Sequence, residues 1–205
     1  MALIDAIKRG DTLEQIREQG LINEDGCLEA DDLGATPLHC ALERGDGDLA
    51  RTLIEECPDL AHKPTGKGET PLIYATKCQL PGIVELLLEH QADPNVQTSW
   101  GHVALFTAAI FLNFNLIKLL IAAGAHLNMY TDTGHQIMHF AAQGITEQEE
   151  EHEEVWGILQ YLHEQGADPN AVTEMGEQPA DILYNFDGDY GNFYTQTIGA
   201  VHGSG

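Results

Sequence analysis

Two histidines four residues apart, His135 and His139, are the first side chains whose type and spacing suggest chemistry. Imidazoles at i and i+4 on a helix share a face and can bind one metal ion. The zinc-hydrolase form of that spacing needs Glu directly after the first His, and here Gln136 follows His135. His135 also falls ahead of the expected helix start, so no metal site is expected. Asp187-Gly188-Asp189 begins like a calcium loop but lacks the later ligands and the closing Glu. Cys27, Cys40, Cys57 and Cys78 contain no Cys-x-x-Cys pair, which argues against a metal or redox motif. Buried, reduced thiols in a cytosolic or nuclear protein are the simple expectation. There is no Gly-x-Ser-x-Gly elbow, no phosphate-cradling Gly loop ending in Lys-Ser/Thr and no Cys–His nucleophile signature. No catalytic residue and no cofactor are expected. An enzyme using the abundant carboxylates is the remote alternative.

The charge balance narrows the partner class. Nine Lys and Arg stand against 33 Asp and Glu, a formal net charge of −24. No Lys or Arg follows Lys118. Such a surface repels phosphate, so nucleic acid is not expected as a partner. It favours solubility and partners with a basic patch. No run of about 18 to 20 uncharged apolar residues is available to span a bilayer, and the first ten residues do not form a signal peptide. A cytoplasmic protein, with a nuclear location as the variant, is expected, and a monomer is favoured.

The elements that must position any site come from an internal repeat. GATPLHCA at 34–41, GETPLIYA at 68–75, GHVALFTA at 101–108 and GHQIMHFA at 134–141 align, with a degraded copy, GEQPADIL, at 176–183. A second shared piece follows three of them: LLLEHQADPN at 86–95, LLIAAGAHLN at 119–128 and YLHEQGADPN at 161–170. Gly opening each octet suits a turn with positive φ. Thr36-Pro37 and Thr70-Pro71 suit helix starts, Thr as N-cap and Pro at the first helical position. Apolar residues at three and four spacing, such as Leu116, Leu119 and Leu120, mark a second helix, and Gly124 and Gly166 end such helices. One helix pair cannot bury its own apolar face, so neighbouring pairs must stack.

These residues resemble the ankyrin repeat in period, signature and second-helix pattern, over nearly the whole chain. The resemblance implies an all-α solenoid of helix-turn-helix units joined by short β-hairpin or turn connections. Residues 1–205 then form one domain: an N-terminal cap repeat at 1–33, repeats at 34–67, 68–100 and 101–133, a repeat with a Glu-rich insertion at 134–175, and a degraded C-terminal cap at 176–205. Nine extra residues fall in ITEQEEEHEE, 145–154, where Thr146 and Glu149 fit a capping box and the second helix is lengthened by about two turns. EDGCLEADDL, between Asn23 and Gly34, is expected as a flexible acidic loop.

The resemblance further implies a protein-binding module, a free-standing adaptor or inhibitor, and no enzyme. A secreted bacterial effector that binds a host protein in the host cytosol is the alternative. Partners are expected at hairpin tips and on the exposed side of each first helix. Carried over by position, these are Gln97, Ser99, Trp100 and His102 with Ile110 and Phe111, then Tyr130, Asp132, Thr133 and His135 with Gln143. The neighbouring repeat presents Lys67, Glu69 and Lys77. Trp100, Ile110, Phe111 and Tyr130 are the aromatic and aliphatic anchors expected of an interface, with packing onto adjacent repeats as the competing role. His39 and His139 occupy the signature His, which the resemblance makes structural. Asn95, Asn128 and Asn170 stand where the family's asparaginyl hydroxylation occurs, although an Asn there also closes a turn by local hydrogen bonds.

Overall fold

Thr70 opens a helix as its residue type requires: its Oγ1 accepts the Ile73 N–H at 3.3 Å, and Pro71 takes the first helical position. Thr36-Pro37 opens its helix with the same residue pair. The computed structural model describes residues 2–144, 149–186, 191, 194–196 and 198, without the side chains of 149–152 and 184–186. They fall into two compact units, Met1–Ser99 and Trp100–Gly205. Each is built from stacked helices, and no strand occurs among the described residues. The connections that the repeat pattern suggests as hairpins are tight turns closed by side chains, without a paired β-ladder.

The first unit contains α1 (Ala2–Arg9), α2 (Leu13–Glu18), α3 (Glu24–Cys27), α4 (Pro37–Glu43), α5 (Gly47–Glu56), a 3-10 turn at Pro58–His62, α6 (Pro71–Lys77) and α7 (Pro81–Glu89). α4 and α6 pack on each other, and each packs on its own second helix, α5 and α7. Leu38, Leu42, Leu49, Leu53, Leu72, Val84 and Leu87 fill the core between them. Ala41 and Ala75 are fully buried, so the first helices approach without an intervening side chain.

The acidic segment after Asn23 is not the flexible loop its composition suggests. Asn23 caps α3 by accepting the Gly26 N–H at 2.9 Å, and Gly26 and Cys27 are buried. The Glu29 carboxylate accepts the Leu3 and Ile4 N–H groups at 3.1 and 3.2 Å, and Lys8 pairs with Asp31 at 2.8 Å. A carboxylate on free N–H groups at a helix start is favourable both as hydrogen bond and as charge. The segment therefore caps α1. A second correction concerns the cysteines: Cys27 and Cys57 are joined by a disulfide, with Cα atoms 6.1 Å apart, while Cys40 and Cys78 are free thiols. Thirty residues separate the pair in sequence, a distance at which sequence spacing carries no signal of pairing.

The second unit contains α8 (Ala104–Ile110), α9 (Phe114–Ala122), α10 (Ile137–Gln143), α11 (Glu149–Glu164) and α12 (Pro179–Phe186). α10 is central: it packs on α8, on α11 and on α12. Leu105, Phe106, Leu116, Leu120, Met138, Ile158 and Leu162 form the core, and Ala108 and Ala141 are the small contact residues. α11 has 16 residues against nine in α9. The capping box at Thr146 and Glu149 lies outside the described residues. Near the C-terminus Tyr194 is buried, its phenol donating to the Pro169 carbonyl at 2.8 Å.

Candidate protein-binding face

The turns that carry the candidate residues are built around a buried hydroxyl. Thr131 Oγ1 accepts the His135 N–H at 3.1 Å, the Thr131 N–H donates to the His135 carbonyl at 3.0 Å, and the Gly134 N–H returns to the Thr131 carbonyl at 2.8 Å. Thr65 makes the same contacts with Glu69 and Gly68, and Thr173 with Glu177 and Gly176. Asp31 replaces Thr in the first turn, with Oδ1 accepting the Leu33 and Ala35 N–H groups. The residue reading missed these positions, yet the signal is present: Thr or Asp stands three residues before the octet Gly at 31, 65, 98, 131 and 173. A short polar side chain that accepts main-chain N–H groups nearby is the ordinary closure of such turns.

Adjacent turns are stitched through the main chain. In the first unit, the Gly66 N–H donates to the Leu33 carbonyl and the Ser99 N–H to the Lys67 carbonyl, both at 2.8 Å. In the second unit, the Asp132 N–H donates to the Trp100 carbonyl at 3.2 Å and the Glu174 N–H to the Thr133 carbonyl at 3.1 Å. The backbone thus holds each tip in register.

In the second unit, Tyr130 is 64% exposed, Trp100 and Phe111 50% each and Ile110 42%. Asp132, Thr133 and Gln143 are exposed as well. His102 and His135 are only half-buried residues at their tips, because both lean on Phe140, at ring distances of 5.3 and 5.9 Å. Phe140 in turn stacks on Phe106 at 4.7 Å. Burial, then the neighbouring His135, pushes the His102 imidazole below its ordinary pKa. His135 Nε2 lies 3.9 Å from the Glu177 carboxylate. Lys118, the last cation of the sequence, sits over the Phe114 ring at 3.7 Å, and Phe114 meets Tyr161 edge to face at 5.2 Å.

In the first unit, Lys67, Lys77, Gln97 and Ser99 are exposed and Glu69 is half-buried. Ser99 is partly committed, since its Oγ also donates to the Lys67 carbonyl at 2.9 Å. The Lys77 ammonium lies 5.9 Å from the Tyr74 ring, whose phenol is pushed up to about 12 by burial and then by Glu69 and other acidic groups around it.

The signature histidines hold the stack together. His39 is buried, with Nδ1 accepting the Thr36 N–H at 3.2 Å and Nε2 donating to the Glu69 carbonyl at 3.1 Å. His139 repeats this with the Gln136 N–H at 3.1 Å and the Glu177 carbonyl at 3.1 Å. That fixes a neutral imidazole with its proton on Nε2. Burial drives the His39 pKa down to about 4 and lowers that of His139. Both nitrogens of His139 are therefore committed, although its ring stands only 5.4 Å from that of His135. Among the described residues no group of three or more His, Cys, Asp and Glu is placed to hold a metal ion.

Asn128 does not close its own turn. Its Nδ2 donates to the Gly166 carbonyl at 3.2 Å and its Oδ1 accepts the Asp168 N–H at 3.0 Å, so the amide joins the end of one repeat to the end of the next.

Comparison with known proteins agrees with this architecture. A family model described as "Ankyrin repeats (3 copies)" matches residues 3–98 and 83–173. The chain is 32% identical over 108 residues to Neurogenic locus notch homolog protein 1 of Danio rerio, covering 51% of this chain and 4% of that protein. It is 35% identical over 97 residues to Ankyrin repeat and SAM domain-containing protein 6 of Rattus norvegicus, covering 46% of this chain and 11% of that protein. The matched region is thus a small part of these much longer relatives. The crystal structure of EF0377, an ankyrin repeat protein, superposes with a TM-score of 0.78 at 23% identity and covers 96% of both chains, a likeness of fold. Among the described residues no helix is long and apolar enough to cross a membrane. With its repeated Thr-closed turns, stacked helix pairs and histidine links, this chain belongs to the ankyrin-repeat family.

Proposed function

We propose that the chain is an adaptor or inhibitor that binds a protein partner through the second unit, at Trp100, Ile110, Phe111 and Tyr130. Ankyrin repeats are protein–protein interaction modules. The observation that carries the reading is the exposure of four large apolar side chains, 42 to 64%, on main chain held by hydrogen bonds. Aromatic anchors on a pre-ordered surface bind without a large ordering cost. Asp132, Thr133 and Gln143 supply the polar surround, and the absence of Lys and Arg after Lys118 favours a partner with a basic patch. In the first unit, Lys67, Lys77, Gln97 and Ser99 offer a polar surface to a partner, together with Glu69. We propose a cytoplasmic location and a monomeric state for this role.

The test is a pull-down from lysate with the wild type beside a Trp100→Ala, Phe111→Ala, Tyr130→Ala variant, with circular dichroism on both. A partner lost by a folded variant supports the reading. Equal recovery by both sinks it, and unfolding of the variant assigns the aromatics to packing.

A further inference from the structure

The most distinctive feature that protein binding leaves unused is a cleft of about 580 Å³ in the first unit, lined by both Cys27 and Cys57. Its other walls include Ile22, Leu28 and Leu60, with Glu24, Glu56 and Asp59 against the single cation Lys63. Cys27, the last residue of α3, is buried, whereas Cys57, which follows α5, is partly exposed. The bond between them is the covalent link from the α1-capping segment to α5. Its non-covalent ties include Asn23 to Gly26, Glu29 to the start of α1, Asp31 to Lys8, and the Gly66 N–H on the Leu33 carbonyl.

We propose that Cys27–Cys57 is a reversible redox clasp, opened by a small thiol that enters the cleft. A thiolate attacks the sulfur of Cys57, the less buried residue of the pair. The S–S bond breaks, its electron pair leaves with the Cys27 sulfur as thiolate, and a mixed disulfide forms on Cys57. A second thiolate attacks the outer sulfur of the mixed disulfide, releases the Cys57 thiolate and leaves as the small disulfide. Overall, two small thiols and the protein disulfide become one small disulfide and two protein thiols, and the small disulfide drives the reverse reaction. Opening the clasp leaves the segment 24–33 held by its non-covalent ties alone, so it opens locally far more often.

The cleft also sets which thiol is favoured. Three carboxylates and one ammonium line it, and Arg17 pairs with Glu56 at 2.9 Å, which leaves a small negative excess that admits a cationic or neutral thiol ahead of an anionic one. Cysteamine is expected to reduce the pair about 5-fold faster than glutathione at equal thiolate concentration and low salt, with the difference shrinking at high salt.

The experiment uses the full chain with Cys40→Ala and Cys78→Ser, so that only the pair remains. The folded protein is equilibrated with cysteamine and cystamine in varied ratio, alkylated, and weighed intact by mass spectrometry. The expected result is a change between no alkyl groups and two per chain, with peptide mapping placing both on Cys27 and Cys57. Limited proteolysis is expected to cut within 24–33 about 10-fold faster in the reduced form. The Cys57→Ser chain should be cut at that fast rate under both conditions. The proposal is overturned if the oxidised buffer still leaves two alkylated thiols, if reduction requires denaturant, or if cleavage is unaffected by redox state. Should Cys57→Ser fail to fold, the reduced and oxidised forms of the parent chain decide the matter by themselves.

Discussion

The main-chain N–H of Asp132 donates to the carbonyl of Trp100 at 3.2 Å, binding the tip of one repeat to the tip of the next. Between Trp100 and the first helix stands Gly101, at φ +79°, with the backbone of Tyr130 to Asp132 directly against its α-carbon. A Cβ there would meet Thr131 Cα at 2.7 Å and the Tyr130 carbonyl oxygen at 3.0 Å. Gly101→Ala is expected to cost about 3 kcal/mol, from the left-handed backbone and the clash together. Gly10→Ala, also at positive φ but with open space around it, is expected to cost about 1 kcal/mol. Urea unfolding of the two variants would show that difference, and equal losses would rule out the close approach at Gly101.

Trp100→Ala and Tyr130→Ala are expected to leave stability within about 1 kcal/mol of wild type, because each side chain is at least half exposed. Chemical denaturation checks this. A large loss for either would make it a packing residue and remove it from the binding face.

His39 makes folding pH-dependent. Its folded pKa of about 4 lies below the ordinary value of 6.5, so between these values the unfolded chain binds the proton that the folded chain refuses. Stability is therefore full above about pH 6.5, falls as pH drops toward 4, and changes no further on this account below it. The whole window is worth roughly 3 kcal/mol for His39, and His139 acts in the same direction. His39→Gln should be less stable at pH 7 and show a flatter pH profile between 6.5 and 4. A profile as steep as wild type would place the dependence elsewhere.

Asn128→Ala is expected to cost about 1 to 2 kcal/mol, since it removes two hydrogen bonds that join successive repeats. Amide hydrogen exchange at Asp168, whose N–H loses its acceptor, should accelerate along with the fall in stability. Unchanged exchange there would mean that the amide bridge does not form in solution.

Where sequence spelled out the architecture, it did so through residues that act locally. Thr70 before Pro71 announces a helix start, and Gly124 and Gly166 a helix end, because each choice is dictated by its own backbone. The tip residues Trp100 and Tyr130 follow from the same repeat phase. Other features depend on partners far along the chain and left no local mark. Glu29 reads as one more acid in a charged loop until α1 arrives above it. Cys27 and Cys57 meet only once α3 and α5 have packed. Asn128 looks like a turn residue because its partners, Gly166 and Asp168, lie a whole repeat away. The Thr or Asp of each turn stands at constant spacing, three residues before the octet Gly, in the shadow of the louder octet.

The buried hydroxyl of the Thr-closed turns has a consequence for how this chain can change. Thr131 and Thr173 settle the path of the backbone from inside, and Thr133 and His135 are hydrogen-bonded into the first of these turns. Under the proposed binding role, substitutions at the exposed positions 100 and 130 change the recognising surface while the Thr-centred closure of the turn stays in place. On that reading, specificity drifts one tip at a time, by single codon changes, on a frame that stays constant.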